Sequence, residues 1–497
     1  MSTRVRFAPS PTGFLHIGSL RTVLFNYLIV KALEGTFILR IEDTDQKREV
    51  AGAAEHLVEI LAWLDIHFDE SPLSGGPFGP YVQSQRRDIY DRYAAEILES
   101  GHAYRCFCSS EEIAAMKEEQ MANKLPPRYD RRCRNLSSEE VEARVARGDA
   151  FTIRQAMPLE GEVTAFDELR GDITFKAENL EDHVLIKTDG MPTYQFANVV
   201  DDHLMEISHV VRGDEWLSSF PKNVLLYRNF GWEPPKFVHI PLVLNKEGGK
   251  LSKRHGDVAV EDYRTKGYLP EALLNFCALL GWHSKSDTEI MPLDQIISEF
   301  KIKDIGTSPA IFDTEKLDYI NGHYIRQKTV HELVDLVLPY LVEGKLLDVQ
   351  DGQWLNNLTG EKVSRQQLEL FVGLAHDRLK KLSEINDLTD YLFQPKLKYE
   401  GSLLVWKKSD AETTKKNLEA AADVLERIPE TEWTRFTIEE ALMNHIRSAM
   451  ITVGEVLWPA RVAMTGRDKS PGPFEVAEAL GKEKAIDRIR AGAVKLK

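Results

Sequence analysis

Two short segments hold the side chains best suited to chemistry on a phosphorylated substrate. The first is Arg6-Phe7-Ala8-Pro9-Ser10-Pro11-Thr12-Gly13-Phe14-Leu15-His16-Ile17-Gly18-Ser19. Gly13 and Gly18 remove Cβ atoms where a flat base and a phosphate would approach the backbone. Ser19 is an expected N-cap, so that the N–H groups behind it form an anion site. His16 can donate a hydrogen bond to a phosphoryl oxygen. The second segment is Lys250-Leu251-Ser252-Lys253-Arg254, preceded by Gly248-Gly249. Two lysines three apart on a loop with flexible glycines can close over a triphosphate. A donor aimed at developing charge contributes roughly 3–4 kcal/mol. Taken singly, the first pattern is also that of an ordinary loop, and the second that of a solvated charged face.

The elements that must position these segments alternate in type. Residues 4–8 form a short strand pattern, and residues 19–33 repeat apolar side chains at helical spacing until Gly35 stops them. Residues 37–41 are an apolar run of strand length, followed by helical patterns over 53–64 and 86–100. Strand–helix–strand alternation predicts a doubly wound α/β domain, which binds ligands at the carboxyl ends of its strands. Residues from 106 to about 185 break the rhythm and read as an insertion, with three of the four cysteines and a charged helix over 110–122. The parallel pattern is expected to return with strands over 183–187, 209–212 and 237–244, around a helix over 217–227. Beyond about residue 262 strand signals almost vanish. Amphipathic segments at 270–280, 293–300, 330–341, 365–382, 411–427, 438–453 and 473–480 predict a helical bundle.

Composition excludes several classes. Of 497 residues, 43% are hydrophobic and 28% charged, ordinary for a soluble globular chain of about three domains. No run of 18 or more apolar residues exists, so no membrane span is expected. The N-terminus lacks a basic-then-apolar leader, and four cysteines suit a reducing, cytoplasmic setting. The net charge of −15 argues against bulk polyanion binding.

Together, in this order, the two segments resemble the pair that marks class I aminoacyl-tRNA synthetases. The fuller wording resembles bacterial glutamyl-tRNA synthetases. It adds Ile41-Glu42-Asp43-Thr44-Asp45, Asp189-Gly190-Met191-Pro192-Thr193-Tyr194, Asn198-Val199-Val200-Asp201-Asp202-His203 and Arg212-Gly213-Asp214-Glu215-Trp216. The resemblance spans essentially the whole chain and is densest in the α/β part. It implies a Rossmann-like catalytic domain in two halves, 1–105 and 186–244, around an inserted acceptor-binding domain at 106–185. A loop and stem-contact domain at 245–325 would follow, then helical anticodon-binding subdomains at 326–385 and 386–497.

By the same resemblance, His16, Gly18, Lys250 and Lys253 are catalytic. ATP, with Mg²⁺ on its phosphates, would be held by Pro9, Gly13, His16, Gly18, Ser19, Val243, Leu244, Lys250, Ser252 and Lys253. Position 19 is Ser where the class wording ends in His; Ser is usual within this family. L-Glutamate would sit among Arg6, Ala8, Ser10, Glu42, Tyr194, Asn198 and Arg212. Arg6 and Arg212 would take the side-chain carboxylate, which suits arginine's planar fork, and Glu42 the α-ammonium. The α-carboxylate attacks the α-phosphate of ATP, and a terminal ribose 2′-OH of tRNA(Glu) then takes the glutamyl group. Lys253→Ala is expected to abolish ATP–pyrophosphate exchange, which should need bound tRNA as well as glutamate. Cys106, Cys108, Cys133 and Tyr129 resemble a zinc site of some members. Asn135 stands where others carry a fourth ligand, and three reduced thiols without metal remain the alternative. Arg378 aligns with an anticodon-reading arginine of members that discriminate tRNA(Glu) from tRNA(Gln). A monomer is expected.

A short paralogue that modifies a tRNA base lacks the roughly 170 residues beyond 325. Glutaminyl enzymes lack the Ala8-Pro9-Ser10-Pro11-Thr12-Gly13 string. A non-enzymatic relative would have lost His16, Lys250 or Lys253, all present. With a net charge of −15, RNA must be held by locally placed cations. Candidates are Arg128, Arg131, Arg132 and Arg134 in the insertion, and Arg461, Arg467, Lys469, Lys482, Lys484, Arg488, Arg490, Lys495 and Lys497 in the tail.

Overall fold

The computed structural model describes residues 2–11, 13–45, 50, 52–249, 251, 259–407 and 409–496. Lys250, Ser252 and Lys253 therefore lie outside the described residues. Internal packing divides the chain into two units, residues 1–264 with 270–314, and residues 265–269 with 315–497.

The strands of the first unit are β1 (Arg4–Phe7), β2 (Thr36–Leu39), β3 (Ala103–Cys106), β4 (Thr152–Gln155), β5 (Glu162–Asp167), β6 (Gly171–Lys176), β7 (Val184–Ile186), β8 (His209–Gly213), β9 (Lys236–Ile240), β10 (Val243–Leu244) and β11 (Ala310–Ile311). Its first seven helices are α1 (Ile17–Ala32), α2 (Ala53–Trp63), α3 (Arg87–Glu99), α4 (Ser110–Ala122), α5 (Ser138–Ala146), α6 (Tyr194–Leu204) and α7 (Phe220–Asn229).

The main sheet runs β2-β1-β8-β9-β5-β6, parallel throughout except for the antiparallel β5–β6 hairpin. Its central strands are apolar on both faces, with Val5, Phe37, Ile38, Val210, Val211 and Val238 all buried, as a sheet covered on both sides requires. Helix α1 carries buried residues all round, Leu20, Val23, Leu24, Phe25, Leu28 and Ile29 among them, and packs against β1, β8 and Pro270–Leu279.

Three expectations change. Residues 183–187 do not rejoin the parallel sheet: β7 pairs antiparallel with β4 in a separate β3-β4-β7 sheet. A short apolar run reads alike in either direction, so composition alone did not separate the two. Residues 162–176, which fall within the expected insertion, instead form the β5–β6 hairpin, which extends the main sheet through the Asp167–Phe237 pair. The expected strand over 237–244 is broken at Pro241, which donates no N–H; β9 ends at Ile240, and β10 pairs with β11 instead. The helix over 110–122 is α4, started by a capping box in which Ser109 and Glu112 exchange bonds.

Near β7, His183 has both ring nitrogens buried without a hydrogen-bond partner. Burial, aided by Lys222 and Arg154, pushes its pKa down to about 3. Between that value and the unfolded value of about 6.5, the unfolded chain takes the proton and the folded chain does not. Stability is thus fully present above about pH 6.5 and falls as the pH drops below it. His183→Leu should remove about 2 kcal/mol of the stability lost between pH 7 and pH 5, read by urea unfolding at both values. An unchanged pH slope would contradict this.

The second unit is mainly helical. Thr329, Ser364 and Thr452 start helices Val330–Glu343, Arg365–Ala375 and Val453–Thr465 with capping boxes. It is not wholly α: Leu347–Gln350 and Gln353–Asn356 form an antiparallel hairpin. Its turn residues Asp351 and Gly352 both have positive φ, 49° and 72°, matching the twist of a two-residue hairpin. The helix expected over 365–382 ends at Ala375 and tightens over His376–Arg378, while the Leu382 N–H donates to the Gly267 carbonyl. The helix expected over 438–453 is two, Arg435–Ser448 and Val453–Thr465, parted at Met450 with φ 53°. Among the described residues, no helix is long and apolar enough to cross a membrane.

Candidate active site

The carboxyl ends of β2, β1 and β8 open into a cavity of about 990 Å³. This is the point where strand order reverses, and the segments following these strands line it. It gathers Arg6, Ala8, Pro9, Ser10, Gly13, His16, Ser19, Glu42, Tyr194 and Arg212 from the residues expected at the site. Thr44, Asp45, Lys187, Asp189, Glu215 and Trp216 also line it. None of these was singled out individually from sequence, although most lie within or beside the quoted motifs. Tyr194 and Trp216 stack at 4.5 Å between ring centres and form an aromatic wall.

The start of α1 differs from expectation. The helix begins at Ile17, and His16 rather than Ser19 is its N-cap, with Nδ1 accepting the Gly18 N–H at 3.0 Å. An accepting Nδ1 leaves the imidazole proton on Nε2 in the neutral ring. The cap thus selects the tautomer that can donate to a phosphoryl oxygen. Gly18 is outside the cavity lining; a Cβ there would come within 3.3 Å of His16 Nδ1. Its missing side chain leaves room for the cap. Val243 and Leu244 lie on β10, apart from the lining residues.

Beneath the cavity three arginines face three carboxylates. Arg6 Nε meets Asp202 Oδ1 at 2.9 Å. Arg40 reaches Asp202 at 2.8 Å, Glu42 at 3.0 Å and Asp201 at 3.8 Å. Arg86 holds Asp201 at 2.7 Å, joined by Gln83 and Tyr90. Burial opposes charge on Arg6, but the attraction and hydrogen bond of Asp202, with Tyr194, together more than offset it and its pKa is raised. Asp202 likewise stays below the usual carboxylate range: burial pushes it up, and Arg6 and Arg40 more than offset that. Glu42 moves upward, because burial outweighs Arg40 and Arg6. Its Oε1 accepts from Arg40 and from Asn198 at 3.1 Å, while its Oε2 is buried with no hydrogen-bond partner. Asn198 does not line the cavity; it lies behind Glu42, donating to it and accepting from Arg6 at 3.5 Å.

Arg212 is the exception among these cations. It is 5% exposed, and its guanidinium meets only neutral groups: His239 Nε2 at 3.0 Å and Asn223 Oδ1 at 3.2 Å. No carboxylate among the described residues lies within ion-pair distance. Burial pushes its pKa down, and Tyr194 pulls it partly back. A buried cation without a counter-ion, on a cavity wall, can receive an anion.

Comparison with known proteins identifies the frame around this cavity. Residues 2–319 match the catalytic domain of the tRNA synthetases class I (E and Q), and residues 332–493 match an anticodon binding domain. The chain belongs to the class I tRNA synthetases of the E and Q group. The synthetase is 44% identical over 496 residues to a glutamate--tRNA ligase of Clostridium botulinum strain Hall, covering 99% of this chain and 98% of that one. It is 45% identical over 497 residues to a glutamate--tRNA ligase of Clostridium tetani, covering 99% and 98%. A crystal structure of a glutamate tRNA ligase from Elizabethkingia meningosepticum, in complex with its amino acid, superposes with a TM-score of 0.90 at 35% identity over the whole of both chains.

Elsewhere in the synthetase, Cys106, Cys108 and Cys133 place their sulfur atoms within 4.8 Å of one another. The Tyr129 hydroxyl is 3.2 Å from Cys106 Sγ and 3.9 Å from Cys108 Sγ. Cys277 is apart from them, buried in an apolar helix, and its thiol is pushed up to about 12 by burial. Arg378 is exposed and has no ion pair among the described residues, so its fork is open to a partner.

Several of the cations expected to meet RNA make contacts within the protein. Arg131 and Arg134 both hold the buried Asp182, and Arg132 pairs with Asp130. Arg488 is buried and donates to the carbonyls of Met464, Tyr391 and Gln394, Arg467 pairs with Asp390, and Arg490 with Glu426. Arg488, Arg131 and Arg134 hold buried partners, whereas Arg132 and Arg490 pair at the exposed surface; charge counting from sequence does not distinguish the two.

Proposed function

We propose that the chain is a glutamate--tRNA ligase that joins L-glutamate to tRNA(Glu) at the expense of ATP. The observation that carries the reading is Arg212, a buried guanidinium on the cavity wall whose protein partners are all neutral. A side-chain carboxylate completes it, whereas a carboxamide brings no charge to do so. Glu42, with one oxygen unpartnered, is suited to the substrate ammonium. Arg6 is committed to Asp202 through Nε, so it supports the carboxylate with its remaining edge.

The α-carboxylate of glutamate attacks the α-phosphate of ATP and pyrophosphate leaves; the terminal ribose 2′-OH of tRNA then attacks the adenylate and AMP leaves. Little acid–base help is needed, so positioning and charge neutralisation dominate. His16 Nε2–H, Lys250, Lys253 and a Mg²⁺ carried by the nucleotide are assigned to the phosphates. Pro9, Gly13, Ser19 and the Val243–Leu244 strand are assigned to ATP. ATP–pyrophosphate exchange should need both glutamate and tRNA(Glu). In Lys253→Ala it should fall at least a hundredfold, from about 3–4 kcal/mol of lost transition-state stabilisation. Exchange at a near-normal rate would overturn the assignment.

Residues 1–105 and 186–244 are assigned to catalysis, 106–185 to the acceptor end, 245–325 to the stem, and 326–385 and 386–497 to the anticodon. Arg378 is assigned to an anticodon base, which favours tRNA(Glu) over tRNA(Gln). A cytoplasmic monomer fits this work. The donor set of Cys106, Cys108, Cys133 and Tyr129 fits Zn²⁺, since three thiols and a phenol oxygen converge within reach of one ion. The metal would supply a cross-link within the insertion and take no part in the reaction. Metal analysis of purified protein should give one zinc per chain, falling to near zero in Cys108→Ser; zinc-free wild type would leave three reduced thiols.

A further inference from the structure

Arg212, His239 and Asp167 form a single hydrogen-bonded row across three neighbouring strands. In the β8–β9 register Arg212 lies directly opposite His239. Arg212 Nε donates to His239 Nε2 at 3.0 Å, and His239 Nδ1 meets Asp167 Oδ2 at 2.8 Å. Because guanidinium is a donor only, His239 Nε2 must accept, and its proton must sit on Nδ1, facing the carboxylate. Every lone-pair direction of Asp167 is used: Oδ2 also accepts the His239 N–H, and Oδ1 accepts the N–H groups of Leu169 and Arg170. The carboxylate is held below the usual range: burial pushes it up, and His239 with these N–H groups more than offsets that. The His239 ring is fully buried, with Phe220 at 4.8 Å and Phe237 at 6.1 Å between ring centres, and this packing together with its two side-chain hydrogen bonds fixes its orientation.

We propose that Asp167 and His239 are positioning residues that aim Arg212 at the substrate carboxylate while leaving its charge unpaired. A carboxylate placed directly on Arg212 would orient it equally well but would neutralise it. With an imidazole between them, Asp167 fixes the ring and its tautomer from one residue further away. The ring then fixes Nε of Arg212, and Asn223 steadies both Nη groups through one carbonyl oxygen. The Nη edge keeps donor capacity for an anion. The dyad is thereby a determinant of carboxylate over carboxamide, that is, of glutamate over glutamine. The carboxylate of the row comes from β5, on the hairpin that extends the main sheet.

This rests on the reading that Arg212 takes the side-chain carboxylate, and the experiment separates the two. Aminoacylation of tRNA(Glu) by the full-length enzyme is measured for Arg212→Ala, His239→Phe and His239→Gln, with KM for glutamate and for ATP and the melting temperature of each. Phenylalanine keeps an aromatic ring packed against Phe220 and Phe237 but offers no acceptor. Glutamine places a carbonyl oxygen near the Nε2 position. His239→Phe should raise KM for glutamate tenfold or more, with KM for ATP and kcat within threefold. His239→Gln should bring KM for glutamate back to within threefold of wild type. If His239→Phe leaves KM for glutamate unchanged while Arg212→Ala raises it, the dyad is overturned and the carboxylate reading stands. If Arg212→Ala itself leaves that KM unchanged, the carboxylate reading fails. Equal rises in both KM values, with a lower melting temperature and no rescue by glutamine, would reduce His239 to packing and overturn the proposal.

Discussion

Arg212→Ala should lower kcat/KM for glutamate by two to three orders of magnitude while leaving the fold intact. The guanidinium is 5% exposed and lies on the cavity wall. Its two anchors, His239 and Asn223, are neutral, so removing it strips no buried carboxylate of a partner inside the protein. The cost is therefore confined to the liganded state. There the substrate carboxylate would be desolvated beside Arg6, which is already engaged by Asp202. Losing one partner of a buried ion pair costs about 3–5 kcal/mol, and each 1.4 kcal/mol is a factor of ten in rate or binding. Arg212→Lys should recover little, because an ammonium cannot reproduce the fork that His239 and Asn223 hold in plane. A variant with ordinary glutamate kinetics would show that another group takes the carboxylate.

Arg40→Met should act on the fold itself. Arg40 is fully buried and contacts Glu42, Asp201 and Asp202 at once. With Arg6 and Arg86 it balances three carboxylates against three guanidinium groups. A methionine of similar length fills part of the volume and leaves three buried carboxylates facing two cations. The expected loss is about 3–5 kcal/mol, a large part of the 5–15 kcal/mol that usually separates folded from unfolded. Melting should fall by roughly 10 °C or more, or the protein should fail to accumulate in soluble form. Lys416→Met is the matched control: its pair with Glu412 is exposed and within one helical turn, and its loss should shift melting by no more than about 2 °C. Arg40→Met melting within that margin would mean the network is not coupled as its distances imply.

Much of the cavity was legible before any coordinates, because it is built from contiguous strand-to-loop segments. Ten of the expected residues meet there. What could not be read was the partner of each charge. Arg40 sits in an apolar run and looks like a strand residue, yet it is the hub of the network. Asp167 and His239 lie 72 residues apart and meet only because β5 joins the main sheet beside β9, a pairing no local pattern announces. Arg131, Arg134 and Arg488 looked available to RNA and are instead fastened to Asp182 and to backbone carbonyls. The opposite failing belongs to the hairpin of the second unit. Its Asp351-Gly352 turn signal is present in the sequence but is outweighed by its helical neighbours. Helix ends were decided by caps more than by periodicity: His16 moves the start of α1 forward to Ile17, and Thr452 opens a second helix where one was expected.

The proposed function of this chain is the attachment of glutamate, selected by its side-chain charge, to tRNA(Glu). Its most direct test is aminoacylation by purified enzyme with labelled glutamate or glutamine on purified tRNA(Glu) and tRNA(Gln), with each tRNA also tested after periodate destruction of its terminal ribose diol. Glutamate should appear on intact tRNA(Glu), with little or none on tRNA(Gln), no transfer of glutamine, and no product after periodate. Transfer of glutamine at a rate comparable to glutamate, or no ATP-dependent product on intact tRNA(Glu), would contradict it.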